Sequence, residues 1–143
     1  MDQTSYKEKL YASYKRVRQQ TPYMAKMPFK LLDMDRGWVR FSCTMEPQFC
    51  TRHGVAASGV LAAFCDTLMG MASRTLGYKV TTMEINMNCV RDVKSGDVMT
   101  GVGQVVHQDG KVIIVECEFF DKDGAVLVKG RSSFYILGTL PLT

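Results

Sequence analysis

The feature that most constrains this chain is an apolar segment, GVLAAFCDTLMGMA from Gly59 to Ala72, which contains a single charged residue, Asp66. The segment is too long for one buried strand and rich in Leu, Ala and Met, so we predict a helix over about residues 58–76, closed by Gly77. Apolar side chains occupy nearly all faces of this helix, and it therefore cannot lie on a surface. Another element must enclose it, and a sheet is the expected one.

Segments with strand character are available on both sides of this helix. Before it, a hairpin is predicted from strands at about residues 29–34 and 38–45, joined at the turn Asp35-Arg36-Gly37. After it, TTMEINMNCVR alternates apolar and polar residues with a period of two. Three more strands are predicted at about residues 98–107, 112–121 and 125–137, separated by the turn sequences KSGD, QDG and DKDG. We expect the four later strands to form an antiparallel meander.

An amphipathic helix is predicted over the first twenty residues, because Tyr6, Leu10, Tyr14 and Val17 recur at spacings of three and four. The order of elements is helix, hairpin, buried helix and four long strands, which is typical of an α+β domain. We predict one domain over residues 1–143, with an N-terminal helix at 1–20 and a core at 28–138.

Composition limits the function classes. With 143 residues, 46% of them hydrophobic, the chain fits one compact domain. The net charge of +4 is scattered among acidic residues, so nucleic-acid binding is not expected. Five separated cysteines without a C-x-x-C pair predict neither a disulfide framework nor a metal site. No run of about 20 apolar residues is present, and the N-terminal segment is polar, so we expect a cytoplasmic protein without a membrane span or secretory signal.

The lone carboxylate needs an explanation. On a helix, the side chains three and four residues from Asp66 are Ala62, Ala63, Met69 and Gly70, and none of them can pair with it. An isolated carboxylate removed from water costs several kcal/mol or shifts its pKa upward, so compensation must come from another element. A backbone N–H or a hydroxyl of a neighbouring strand could supply it structurally. Alternatively, the carboxylate faces a cleft that water and substrate enter.

The segment T-x-x-G-x-x-A-S-G-V-L-A-A-F-C-D, ending at Asp66, and the layout of elements resemble the hotdog-fold acyl-CoA thioesterases, specifically their phenylacetate-degradation (PaaI-like) branch. The family pattern reads N-x-x-G-x-x-H-G-G and is followed by a hydrophobic helix with an acid nine residues after the His. TMEINMNCVRDVKSGD and the last three strands also look like the family. The matching positions are Gly54, Gly59, Asp66, Thr82, Arg91 and Gly96. The resemblance implies a long antiparallel sheet wrapped around one buried helix.

The chain departs from the family pattern at the start of this helix. Thr51 stands where the family has Asn, Ala57 where it has His, and Ser58 where it has the first Gly. Thr51 is retained as a candidate site residue at the Asn position. His53 lies four positions too early for the family His, and aligning the two would require an insertion before Gly59.

The resemblance implies roles for particular residues. The backbone N–H of Ser58, at the N-terminus of the buried helix, would polarise the thioester carbonyl. Asp66 would act as general base or as nucleophile, and Thr82, contributed by the other subunit of a dimer, would help to place the water. Arg91 and Lys94 are candidates to bind the phosphates of CoA. CoA enters as part of the substrate, so neither a cofactor nor a metal is implied.

The predicted function is that of an acyl-CoA thioesterase for a medium-chain or aryl acyl group, assembled as a homodimer or homotetramer. Two alternatives stay open at this point. One is a non-catalytic acyl-thioester or lipid-binding protein, because Thr51 and Ala57 replace polar groups of the family site. The other is an enoyl-CoA hydratase or dehydratase, which would characteristically use a His together with an acid.

Overall fold

The computed structural model describes residues 3–142 and contains one mixed helix and sheet assembly. The helices are α1 (Gln3–Gln20), α2 (Pro22–Ala25) and α3 (Ser58–Arg74), and a 3-10 turn lies at Pro47–Phe49. The strands are β1 (Phe29–Asp35), β2 (Trp38–Thr44), β3 (Tyr78–Cys89), β4 (Val98–Asp109), β5 (Val112–Phe120) and β6 (Val126–Thr139). The predicted elements are therefore all present, with boundaries that differ by a few residues.

The six strands form one antiparallel sheet in the order β1-β2-β4-β5-β6-β3. β4, β5 and β6 form the expected meander, but the prediction that β3 belongs to it is wrong. β4 pairs with β2, and β3 crosses over to pair with β6 at the far edge. The β3–β4 connection, residues 90–97, is longer than a tight hairpin loop, and its Val93 carbonyl accepts a hydrogen bond from Ala56 N–H at 2.7 Å. It is thus held against the segment preceding α3 and carries the chain across.

The sheet curves around α3, as the apolar character of that helix predicts. Leu61, Phe64, Cys65, Leu68 and Met69 are among the helix side chains buried against the strands. This enclosed helix within a long antiparallel sheet is the hotdog fold that the resemblance implied.

The helix lies directly on the sheet at Gly103 of β4. A Cβ atom at this position would lie 2.9 Å from the backbone carbonyl oxygen of Leu68 in α3. Only glycine therefore permits this distance between the helix and the strand. The helix ends at Arg74, two residues before the predicted end, and Gly77 follows with φ +90°.

The N-terminal helix packs across the first hairpin and the C-terminal end of α3. Leu10 is buried, and the Tyr6 hydroxyl donates a hydrogen bond to the Thr75 carbonyl. On the hairpin, Asp33 forms an ion pair with Lys7 at 2.7 Å. This contact holds the pKa of the Asp33 carboxyl below its ordinary value. The amphipathic helix predicted over residues 1–20 is confirmed for Gln3–Gln20, and residues 1 and 2 lie outside the described residues.

The edge strand β3 leaves apolar side chains in solvent. Its alternating sequence predicts one buried face, yet Met83 is 51% exposed and Ile85 is 37% exposed. Among residues 3–142, β3 has a neighbouring strand on only one side, β6, so its other edge is unpaired in this part of the chain. Across residues 3–142, no helix has the length and apolar character needed to cross a membrane.

Candidate active site

The compensating partner of the lone carboxylate is a strand hydroxyl. Thr82 of β3 donates a hydrogen bond from Oγ1 to Oδ1 of Asp66 at 2.7 Å. Both residues belong to the same chain, so the prediction that Thr82 comes from the other subunit is wrong for this contact. The reason is the topology: β3 follows α3 directly and returns along it, which brings a residue sixteen positions later beside the acid.

The inward direction of Thr82 follows from its pairing in the sheet. Thr82 is directly opposite Phe134 of β6, whose buried ring lies 3.7 Å from where a Cβ of Gly70 would be. Side chains of directly paired residues lie on the same face of a sheet, so Thr82 faces the helix too. The register shifts immediately after it, between Thr82 and Glu84, and such a bulge redirects the side chains that follow.

Asp66 is half-buried and lines a cleft of about 180 Å³ between α3, the edge of the sheet and the segment around α2. The rest of the lining consists of Thr67, Gly70, Met71 and Arg74 from α3, Val80 and Thr82 from β3, Phe134 from β6, and Thr21, Tyr23 and Met24. No backbone N–H within residues 3–142 donates to this carboxylate, and Thr82 is the hydrogen-bond donor that it has there. The carboxylate therefore faces the cleft with its second oxygen available.

A cation occupies the same cleft two helical turns from the acid. Arg74 follows Asp66 by eight residues on α3, and burial lowers the pKa of its guanidinium, an effect that the charge of Asp66 opposes. The two side chains form no ion pair within 4.0 Å in the part of the chain that the structure describes. The cleft thus has an anionic and a cationic group along one helix.

The N-terminus of α3 offers unpaired backbone donors. Ala57 is the N-cap, with extended backbone and no side-chain cap, and Ser58 is the first helical residue. Neither Ser58 N–H nor Gly59 N–H has an acceptor among residues 3–142. Both residues are exposed, and the positive end of the helix dipole is located here. Eight residues separate Ser58 from Asp66, which is about 12 Å along the helix axis.

Thr51 and His53 lie in the loop before α3, outside the Asp66 cleft. The Thr51 hydroxyl accepts a hydrogen bond from the His53 backbone N–H at 3.3 Å. The exposed His53 ring accepts one from Arg52 Nε at 3.3 Å. Within this chain, both side chains serve local turn structure.

Arg91 and Lys94 line a separate surface groove of about 490 Å³ on the β3–β4 connection, together with Asp92, Asp97 and Asp121. This connection is anchored to the segment leading into α3, because Lys94 forms an isolated antiparallel β-bridge with Val55. The two cations are therefore placed toward the N-terminal end of α3 rather than beside Asp66.

Sequence reasoning missed Arg74. The signal was available, because Asp66, Gly70 and Arg74 recur every four residues and so share one side of a helix. Cys65, the neighbour of Asp66, is not a site residue in this geometry, since its side chain is fully buried in the core.

Comparisons with known proteins agree with this architecture. A family model described as the thioesterase superfamily matches residues 53–128. A Saccharolobus solfataricus protein named as an esterase, SSO2140, is 30% identical over 112 residues, which cover 77% of this chain and 79% of that protein.

Solved structures show the same fold. The Escherichia coli PaaI protein from the phenylacetic acid degradation operon superimposes with a TM-score of 0.87 at 18% identity, covering 95% of this chain and 99% of that one. A hypothetical thioesterase from Streptococcus pneumoniae, solved with coenzyme A, has a TM-score of 0.77 at 22% identity. The match covers 79% of this chain and 91% of that one.

Proposed function

Because the chain belongs to the thioesterase superfamily, whose model spans more than half of it, we propose that it hydrolyses acyl-CoA thioesters with a medium-chain or aryl acyl group. Membership identifies it as a thioester hydrolase. The observation that carries the finer proposal is the Asp66 carboxylate, which lines an open cleft and is oriented by the Thr82 hydroxyl.

Asp66 acts as the general base in this proposal. The hydrogen bond from Thr82 fixes Oδ1 and leaves Oδ2 to take a proton from water. The water oxygen then bonds to the thioester carbon, and the resulting oxyanion collapses with cleavage of the carbon–sulfur bond. The proton held by Asp66 passes to the departing CoA thiolate, so the products are the free acid and CoA.

The oxyanion is stabilised by the Ser58 N–H of a second copy of the chain. Within one chain, this N–H and Asp66 are about 12 Å apart along α3, too far to act on one carbonyl group. A homodimer that pairs across the free edge of β3 would bring the two helices together. The exposed apolar side chains of Met83 and Ile85 on that edge support such pairing.

Related structures support the roles of the acid and the hydroxyl. The S. pneumoniae thioesterase has also been crystallised with alanine in place of an aspartate and, separately, of a threonine sixteen positions further along. The same separation relates Asp66 and Thr82 here. That protein was solved with coenzyme A and a Streptococcus mutans protein with acetyl-CoA, which supports CoA as the thiol half of the substrate.

The phosphates of CoA would be bound by Arg91 and Lys94. Both residues lie on the connection that is anchored beside the N-terminus of α3, which places them near the proposed oxyanion donor. The three carboxylates of that groove would orient the cations rather than bind the ligand.

The proposal is tested by measuring thiol release from a panel of straight-chain and aryl acyl-CoA substrates with the purified protein. We expect turnover of at least one of them, and its loss in Asp66→Asn with an unchanged melting temperature. Tight binding without turnover would indicate a non-catalytic acyl-thioester or lipid-binding protein instead, and hydration of crotonyl-CoA without thiol release would indicate a hydratase. Either result would overturn the proposed function.

A further inference from the structure

We propose that the cleft selects acyl groups that carry a carboxylate at the end distal to the thioester, and that Arg74 binds this carboxylate. The inference rests on the proposed function, because it treats the Asp66 end of the cleft as the site of hydrolysis. It specifies the substrate class as the CoA monothioesters of dicarboxylic acids.

Arg74 has no anionic partner among the described residues. Within residues 3–142 it has no carboxylate within ion-pair distance. A guanidinium presents several donors in one plane and matches a carboxylate with two parallel hydrogen bonds. A partly buried cation without an anionic partner is poised for an incoming anion.

The position of Arg74 in the last turn of α3 does not by itself explain its burial. A cation near a helix C-terminus interacts favourably with the helix dipole, and a surface position is sufficient for that effect. Here the guanidinium lines the cleft, and burial lowers its pKa while the charge of Asp66 raises it. The side chain is therefore held where solvation is poor, and a ligand anion would offset this cost.

The groups that line the cleft follow one another along α3 in an order that suits such a substrate. Asp66 and Thr82 mark one end, and Arg74 follows two helical turns later, about 12 Å along the axis before side-chain reach is considered. Between them the lining includes the apolar side chains of Val80, Phe134 and Met71, together with polar groups of α3 and of the segment around α2. Gly70 contributes no side chain, and the Phe134 ring lies 3.7 Å from where its Cβ would be. A flexible methylene chain fits the middle of such a cleft, and an anion fits its far end.

Little space lies beyond Arg74 in the direction of α1. The same residue also lines a cavity beneath α1, between Leu10, Tyr14 and Met34, whose volume is only about 40 Å³. This space holds at most a few water molecules and is too small for an alkyl tail. A chain of matching length with a terminal carboxylate would therefore end at the guanidinium and bind it.

The experiment compares pairs of substrates with equal chain length: succinyl-, glutaryl-, adipyl- and suberyl-CoA against butyryl-, valeryl-, hexanoyl- and octanoyl-CoA. For at least one length we expect kcat/KM of the wild-type protein to be about tenfold or more higher for the dicarboxylic thioester, the effect of one charged hydrogen-bonded contact. Equal or lower kcat/KM for every dicarboxylic thioester would overturn the inference, and this measurement needs no variant.

Variants identify the residue responsible. In Arg74→Gln, the ratio of kcat/KM within the preferred pair should fall by about 10- to 100-fold, mainly through a higher KM for the dicarboxylic thioester. Arg74→Lys should restore part of the ratio because it keeps the charge. Arg40→Gln, on the exposed side of β2, is the matched control and should leave the ratio unchanged. A ratio that survives Arg74→Gln in a folded protein would assign the selectivity to another group and refute the role of Arg74.

The result also separates this inference from the proposed function. If the neutral thioesters are hydrolysed and the dicarboxylic ones are not preferred, Arg74 does not select the substrate but the hydrolase proposal stands. If neither class releases thiol, both proposals fail.

Discussion

Replacing Ser58 by proline removes one backbone hydrogen-bond donor and little else. Ser58 is the first residue of α3, a position where proline is favoured because its fixed φ suits the helix start. The preceding residue, Ala57, has φ −66° and ψ 134°, an extended conformation that a following proline tolerates. Because the Ser58 N–H has no acceptor within residues 3–142, Ser58→Pro breaks no hydrogen bond of the fold.

The expected effect is large on catalysis and small on stability. Loss of one donor to an oxyanion typically lowers kcat by about 10²- to 10³-fold, or about 2.7–4 kcal/mol of transition-state stabilisation. We expect this loss in thiol-release kinetics with the best acyl-CoA substrate, together with a melting temperature close to that of the wild type. Ser58→Ala keeps the N–H and should retain most of the activity, which separates the backbone donor from the side chain.

Two results would refute the reasoning. A folded Ser58→Pro protein with wild-type kcat would show that this N–H does not contact the developing oxyanion. A Ser58→Ala protein as impaired as Ser58→Pro would assign the function to the hydroxyl instead.

Three further predictions concern orientation of the acid, packing of the helix and pH. Thr82→Val should lower kcat by about 10- to 100-fold through loss of the hydrogen bond to Asp66, and Thr82→Ser should recover most of the lost activity. Equal kcat for Thr82→Val and the wild type would contradict this role. Gly103→Ala should lower the free energy of unfolding by about 1–3 kcal/mol in urea titrations, because its Cβ would collide with a helix carbonyl. Gly138→Ala, which has open space around it, should leave the free energy of unfolding unchanged. Equal effects of the two variants would refute the close approach of helix and strand at Gly103. The folded-state pKa of Asp33 lies below its ordinary value, so its ion pair stabilises the protein above about pH 4 and is lost as the pH falls. Asp33→Asn should therefore lower the melting temperature at pH 7 but not at pH 2, and an equal drop at both would contradict the ion pair.

Local patterns in the sequence were sufficient to predict the elements of the fold. The length and all-round apolarity of residues 59–72 required an enclosed helix, and the structure encloses it in a sheet. The position of β3 could not be predicted in the same way, because strand order depends on contacts between distant segments. Its alternating apolar residues indicated a buried face, whereas an edge position leaves Met83 exposed within one chain.

The candidate site could be predicted from the sequence only in part. The absence of a helical partner for Asp66 correctly required a group from another element, and the resemblance named Thr82. That both belong to one chain depends on how β3 folds back along α3, which residue patterns do not contain. The sequence spacing already placed Arg74 on the same side of the helix as Asp66. Its burial could be seen only in the structure, where Phe134 and Val80 lie opposite.

Subunit mixing tests most directly whether each active site combines the acid of one chain with the helix N-terminus of another. Ser58→Pro and Asp66→Asn proteins, each nearly inactive alone, are unfolded together in equal amounts and refolded. Random pairing makes about half of the dimers mixed, and each mixed dimer has one intact site, so thiol release should recover to about one quarter of the wild-type rate. A mixture that forms mixed dimers but stays as inactive as its components would contradict the shared site.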